Sequence, residues 1–339
     1  HPYYAQRKIA RCYNYFLKRI DKEIESLNDE SVVDFLLGKY NKVKQAMLVK
    51  IEVSSHSDAY VLFESLNNRG TPLTAIDLMK NLIMAKAEGN NLTIDDCFNR
   101  WQTLLGNLSE DYSIQERFFR QYYNAFKHHL NEPFQSDADR KKDPLGVVAT
   151  RSNLLNIFES LINKDLPSFL DDILQCGQIY SWLILQDTIE NPYRKALEDL
   201  DHIQGAPSYL LLMYLMRNQE ELAVSEEQIN LIIRLLAKYF VRRNITDYPN
   251  TRDLTRIFMD IISKLEEAQA TGGKVVSIII DILSTPTNCA SDEQFRRSLE
   301  GDVYKDNVGA TRYILCKLAE AAMTQETWTD LWSRTDKKV

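Results

Sequence analysis

Apolar residues recur at helical spacing along most of the chain. Over 4–27, Ile9, Cys12, Tyr13, Phe16, Leu17, Ile20 and Ile24 form one stripe, with Arg7, Lys8, Arg11, Lys18, Arg19 and Lys22 on the remaining surface. That basic side is either a nucleic-acid face or an ordinary solvated surface. A short helix is predicted near 32–37. Met47, Val49, Ile51 and Val53 then alternate with Leu48, Lys50 and Glu52, a period of two that predicts one clear strand over 47–53. A single strand cannot satisfy its own backbone, so it needs strands from upstream or a short partner.

Beyond residue 74 the period is helical almost throughout. A helix over 75–87 stops at Gly89-Asn90-Asn91, and Cys97, Trp101, Leu104 and Leu105 share the face of the next one. Phe118, Phe119, Tyr122, Tyr123 and Phe126 make an aromatic stripe, which is usually core and sometimes lines a ligand site. His128 and His129 are adjacent and diverge by roughly 100° on a helix, so they cannot share a metal unaided. The stretch 132–146 reads as a charged loop. Its Asp137 and Asp139 lack the Gly turn and distal Glu of a calcium loop.

From 152 onward the spacing predicts helices over 152–162, 167–182, 191–203, 206–216 and 225–243, without a fixed repeat. The last carries Ile229, Leu231, Ile232, Ile233, Leu235, Leu236, Tyr239, Phe240 and Val241 and reads as the most buried, with Ser225 and Gln228 as a capping box. Glu198 and His202, four apart, can meet on a helix face. Gly272-Gly273 marks a turn, followed by apolar 275–283 and a helix over 292–299. The fold class is mainly α, a multi-helical array with a small α/β remnant near the N-terminus. The expected division is 1–95, holding the strand and the hinge described next, and 96–339, all helical.

The most informative stretch is 63–81. Ala59, Leu62, Phe63 and Leu66 sit at i, i+3, i+4 and i+7, Gly70 frees the backbone, and Pro72 discourages helix at Thr71. Thr74 and Asp77 then have the spacing of a capping box. This hinge directs Asn67, Asn68 and Arg69 at a helix N-terminus, where unpaired N–H groups and the positive dipole end favour an anion or phosphate. The plainer alternative is that Asn and Gly stop one helix, Thr74 and Asp77 cap the next, and Lys80 is a solvated charge. A second candidate is Arg242, Arg243, Arg252 and Arg256, with Tyr248 and Asn250 among them. It reads equally as a DNA-phosphate or partner patch and as helix-end neutralisation with internal ion pairs.

Composition narrows the classes. The 339 residues, 44% apolar, suffice for one large core or two smaller ones. No apolar run approaches a membrane span and no signal-peptide core opens the chain, so a cytoplasmic protein is expected. The formal charge of −7 restricts any nucleic-acid contact to a local patch. Cys12, Cys97, Cys176, Cys289 and Cys316 are scattered and never form a Cys-x-x-Cys pair, so buried thiols are expected rather than disulfides or a zinc site. There is no phosphate-binding loop, nucleophile elbow or His-Glu-x-x-His, and no metal ligand set is assigned. A start on His1-Pro2-Tyr3 without Met is expected of an internal piece of a longer protein.

The string Phe63-x-x-Leu66-Asn67-x-Arg69-Gly70-x-x-Leu73-x-x-x-Asp77-Leu78-x-Lys80-Asn81 resembles the second signature of the N-terminal half of GmrSD-type modification-dependent restriction endonucleases. The stretch from Arg242 to Arg252, leading into Leu254, Ile257 and Phe258, is similar to the helical middle of that family. Thr246 and Asp247 stand where many members carry Cys-Gly. Thr311-Arg312-Tyr313-Ile314-Leu315 resembles the last helix before the family's C-terminal His-Asn-His nuclease, which is absent from this sequence.

The resemblance implies a bacterial antiphage protein with a ParB-like or sulfiredoxin-like N-terminal domain. It implies a nucleoside triphosphate and magnesium as cofactors of the parent and modified phage DNA as its partner, and it is compatible with a homo-oligomer. By the same resemblance Asn67, Arg69 and Gly70 complete a nucleotide or phosphate pocket, and Thr74, Asp77 and Lys80 support the hinge. The family's upstream Asp-Gly-Gln-Gln-Arg motif has no counterpart. The expected function is a helical region coupling nucleotide or modified-DNA sensing to a nuclease, inert alone and holding no cofactor itself. The alternative is a non-enzymatic helical scaffold that binds protein or DNA.

Overall fold

The computed structural model describes residues 4–25, 27, 29–47, 50, 74–130, 144–186 and 190–332. The chain forms two compact units, His1–Phe63 and Glu64–Val339. In the first, α1 (Tyr4–Ile24) and α2 (Asp29–Lys44) are joined by the pair Lys39–Glu23 at 2.8 Å. The second helix is longer than the predicted 32–37, because Asp29 to Lys44 contains no Pro and only one Gly to interrupt it. None of the described side chains of this unit is buried, and Tyr13, Phe16 and Leu17 of the predicted stripe are exposed.

The strand expected over 47–53 falls mostly outside the described residues; Met47 and Lys50 are described and neither lies in a strand. Among the described residues the protein is all helix and turn, so the α/β part of the expected fold class is not seen. The hinge from Phe63 to Leu73 and the loop positions Asp137 and Asp139 also lie outside the described residues.

The second unit is built from α3 (Ala75–Lys86), α4 (Ile94–Leu108), α5 (Tyr112–Leu130), α6 (Leu154–Lys164), α7 (Leu166–Leu183), α8 (Arg194–His202), α9 (Tyr209–Arg217), α10 (Glu226–Thr246), α11 (Thr251–Glu267), α12 (Gly273–Leu283), α13 (Asp292–Leu299), α14 (Val303–Asp306) and α15 (Val308–Ala322). Side-chain caps set several starts: Thr93 for α4, Asp165 for α7, Ser225 for α10, Ser291 for α13 and Asn307 for α15. After α3 a single tight turn, Glu88–Asn90, ends on Asn91 at φ 57°, so the expected stop is made by a left-handed Asn.

One apolar core runs from Ile76 to Tyr313. Its middle is α9, in which every residue from Tyr209 to Met216 is buried against α5, α7, α11 and α10. The aromatic stripe of α5 fills the core beside it, Phe118 edge-on to Tyr180 at 5.1 Å and Phe119 edge-on to Phe158 at 5.2 Å. Helices α4 and α7 approach closely because Gly177 has no side chain: a Cβ there would stand 2.5 Å from Leu104 Cδ1.

The expectation that α10 is the most buried helix is overturned. Leu231 is 53% exposed, and Arg234 and Lys238 are exposed on the same helix. The thiol expectation needs the same kind of correction: Cys97, Cys176 and Cys316 are buried, but Cys12 is exposed and Cys289 partly so.

Candidate functional site

The start of α3 is the described end of the hinge. Thr74 is extended at φ −73° and ψ 159°, its hydroxyl accepts the Asp77 N–H at 3.2 Å, and its own N–H donates to Asp77 Oδ2 at 3.1 Å. The capping box is therefore formed on both sides. The Ala75 N–H meets the Tyr112 hydroxyl, which lies against Asp77 and Glu116; burial and those two carboxylates raise its pKa. This helix end has most of its N–H groups satisfied within the fold. Lys80 is fixed as well, with Nζ 4.9 Å from the centre of the Phe98 ring. Asn67, Arg69 and Gly70 lie outside the described residues.

Beneath this end runs an ionic network. Glu116, whose side chain is only 5% exposed, pairs with Arg120 and Arg151, each at 2.9 Å. On the same helix, Arg117 donates to the Tyr180 hydroxyl at 3.1 Å, and that hydroxyl donates to Gln121 at 2.9 Å. Most of these groups have the partners expected of a structural network, although buried Arg120 Nε meets Glu116 outside hydrogen-bond geometry.

The arginine patch is divided by the geometry of its helix. Arg242 and Arg243 are neighbours and leave α10 in different directions. Arg242 pairs with Asp292 at 2.6 Å, donates to the Ala290 carbonyl at 3.0 Å and lies 5.0 Å from the Phe295 ring centre. Arg243, its side chain 13% exposed, donates to the Pro249 carbonyl at 3.1 Å, Asn244 Oδ1 at 3.0 Å, Asp247 Oδ1 at 2.9 Å and Thr251 Oγ1 at 2.8 Å. It thereby ties the loop around the cis Tyr248–Pro249 bond to the helix end. Asn250 starts α11 without a side-chain cap, Arg252 is exposed, and Arg256 pairs with Asp260 at 3.1 Å. So Arg252 and Arg256 share a face of α11, while Arg243 is spent inside the fold.

Other candidates also separate. His128 Nε2 is 2.9 Å from Ser263 Oγ, whereas His129 Nε2 is 2.8 Å from a Glu266 carboxylate oxygen, which raises the His129 pKa. Glu198 pairs with Arg194 at 3.1 Å, and His202 stacks on Trp332 with ring centres 3.7 Å apart, so each of the two takes a different partner. Burial lowers the His202 pKa.

Sequence reasoning missed two features. The first is a cavity of about 440 Å³ beside Tyr122, Phe126 and Phe169. At its wall Asp172 accepts from the buried Tyr122 hydroxyl at 2.7 Å and pairs with Arg217 at 3.2 Å. Nothing local in the sequence signals it, because Asp172 and Arg217 are far apart. The second is a groove bearing Arg234, Lys238 and Arg242, for which the spacing i, i+4, i+8 was a usable signal.

No group of three or more His, Cys, Asp or Glu side chains among the described residues is placed to hold a metal ion, and none of their helices is long and apolar enough to cross a membrane. Residues 3–84 match the family model of the GmrSD restriction endonuclease N-terminal domain. No match was found among curated proteins or among solved structures.

Proposed function

We propose that this chain, whose residues 3–84 match the GmrSD restriction endonuclease N-terminal domain, couples sensing of a nucleotide or of modified DNA to DNA cleavage in a bacterial antiphage enzyme. The observation that carries this reading is the position of α3. The matched region ends within that helix, at residue 84, yet Ile76, Met79 and Ile83 are buried in the core of the large unit. Helix α3 packs on α6 and α4, so a displacement arriving at Thr74 acts on the helical array.

In this reading Asn67, Arg69 and Gly70 hold the phosphates, Arg69 as a planar clamp and Gly70 by letting the backbone approach. Thr74, Asp77 and Lys80 keep the start of α3 fixed. A nucleoside triphosphate with magnesium serves the whole protein, residues 1–95 sense and residues 96–339 relay. DNA contacts draw on Arg252 and Arg256 with Asn250 at the start of the same helix, and separately on Arg242.

The test is cleavage of modified and unmodified phage DNA by the whole protein, with magnesium and with or without GTP or ATP, for the wild type and Arg69→Ala. Nucleotide-dependent cleavage lost in the variant supports the coupling. Unchanged turnover and cleavage in Arg69→Ala overturns it. A folded wild type that cuts no DNA but captures a protein partner without salt sensitivity favours a scaffold instead.

A further inference from the structure

We propose that the groove between α8, α10, α13 and α15 binds the sugar–phosphate backbone of a nucleic-acid strand through Arg234 and Lys238, an inference that rests on the DNA reading above. The groove encloses about 550 Å³, and its walls include Arg234, Lys238, Arg242, Phe295, Lys317 and Asp199. Three of its cations come from one face of α10. They are spaced four residues apart, so they rise about 6 Å per step along the helix.

Their charge states of pairing differ. Arg242 is held by Asp292 at 2.6 Å, and Lys317 sits between Asp199 at 2.5 Å and Glu320 at 2.8 Å. Asp199, the acidic side chain in the groove, is therefore already taken. Arg234 and Lys238 are exposed and have no hydrogen-bond or ion-pair partner among the described residues. Neither holds the fold together. In a chain whose formal charge is −7, this leaves a local row of uncompensated positive charge.

A row suits a linear polyanion better than a single phosphate, because each cation meets a successive charge. An acidic helix of a protein could present carboxylates at the same pitch. The groove's other lining favours nucleic acid. Phe295 is half-buried with the Arg242 guanidinium 5.0 Å from its ring centre, a flat aromatic and guanidinium pair of the kind on which bases stack. Arg234 adds a fork that matches two phosphate oxygens at once.

The experiment is fluorescence anisotropy with a fluorescein-labelled 20-nucleotide strand and its duplex, titrated with the full chain over a range of NaCl. Wild type, Arg234→Ala/Lys238→Ala and the charge-keeping Arg234→Lys/Lys238→Arg are compared, with matching circular dichroism and melting curves as the check on folding. The double alanine variant should bind roughly tenfold weaker or worse. Its log–log salt slope should fall by about 1.4 for the strand or about 1.8 for the duplex, and the charge-keeping variant should restore most of both. Unchanged affinity and slope in the alanine variant overturns the groove while leaving DNA binding, and the DNA reading, intact. A wild type that binds neither strand nor duplex, whether or not it captures poly-glutamate, also overturns it; the cleavage assay on the whole protein judges the endonuclease reading separately.

Discussion

Helices α9 and α10 are adjacent in sequence and both rich in apolar residues, but they meet water differently. Helix α9 is buried from Tyr209 to Met216 and has no side-chain cap, so its stability comes from its neighbours. Helix α10 buries Ile229, Ile232, Ile233, Leu236 and Phe240, carries a full capping box and leaves Leu231, Arg234 and Lys238 in solvent. The first is a structural post and the second keeps one face in solvent. A charge every fourth residue is what separates them, and apolar content alone does not.

The contrast is broken most directly in the core. Leu212→Ala should cost about 2–5 kcal/mol, whereas Leu231→Ala should stay within about 0.5 kcal/mol. Urea unfolding measures both, and a large loss at Leu231 would mean that the outer face of α10 is covered. A finer contrast lies within α10. Arg243→Ala should cost about 1.5–3 kcal/mol, with lysine a poor substitute for its fork of hydrogen bonds. Truncating Arg234 should leave stability nearly unchanged, so equal losses at the two positions would erase the distinction between a loop anchor and a groove cation.

The caps sharpen the comparison further. Ser225→Ala should cost about 1 kcal/mol by melting, because α10 depends partly on its box; Ser208 ahead of α9 makes no cap bond, its buried hydroxyl donating instead to the Gly205 carbonyl at 2.7 Å. The smallest effect concerns His129 on α5. Its folded pKa is raised by Glu266, so its contribution is fully present below the unfolded value near 6.5. It is lost as pH rises through the higher folded pKa. With the ring 60% exposed, the gain should be only about 0.2–1 kcal/mol. His129→Gln should therefore lower the melting temperature at pH 6 and not at pH 9; a uniform loss would assign the effect to packing.

Much of the helical part was legible because its signals are local. Ser225 with Gln228 and Thr74 with Asp77 announce helix starts at fixed spacing, and both boxes form. The aromatic stripe of α5 was legible as core for the same reason. Which apolar residue faces water was not, since periodicity ranks faces without seeing neighbours: Leu231 counts as core by spacing and is open in the fold. For Arg243 the spacing leaves a contact patch and internal pairing equally open, because its partners, the Pro249 carbonyl and Thr251, come from a loop beyond the helix end. Arg234 and Lys238 sat in plain view at helical spacing, but only the neighbouring α13 and α15 make a groove of them.

The packing of Trp332 has an optical consequence. Its indole is stacked on His202 with the planes 7° apart, its N–H donates to Glu320 at 2.6 Å, and Arg312 Nη2 reaches the Leu331 carbonyl at 3.1 Å. A protonated imidazole quenches a stacked indole and a neutral one does so far less. Burial holds the His202 pKa down and so favours the neutral ring beside this indole. Release of the segment leading out of α15 from the helical body should therefore change tryptophan emission, and Trp332→Phe separates that signal from those of Trp101, Trp182 and Trp328.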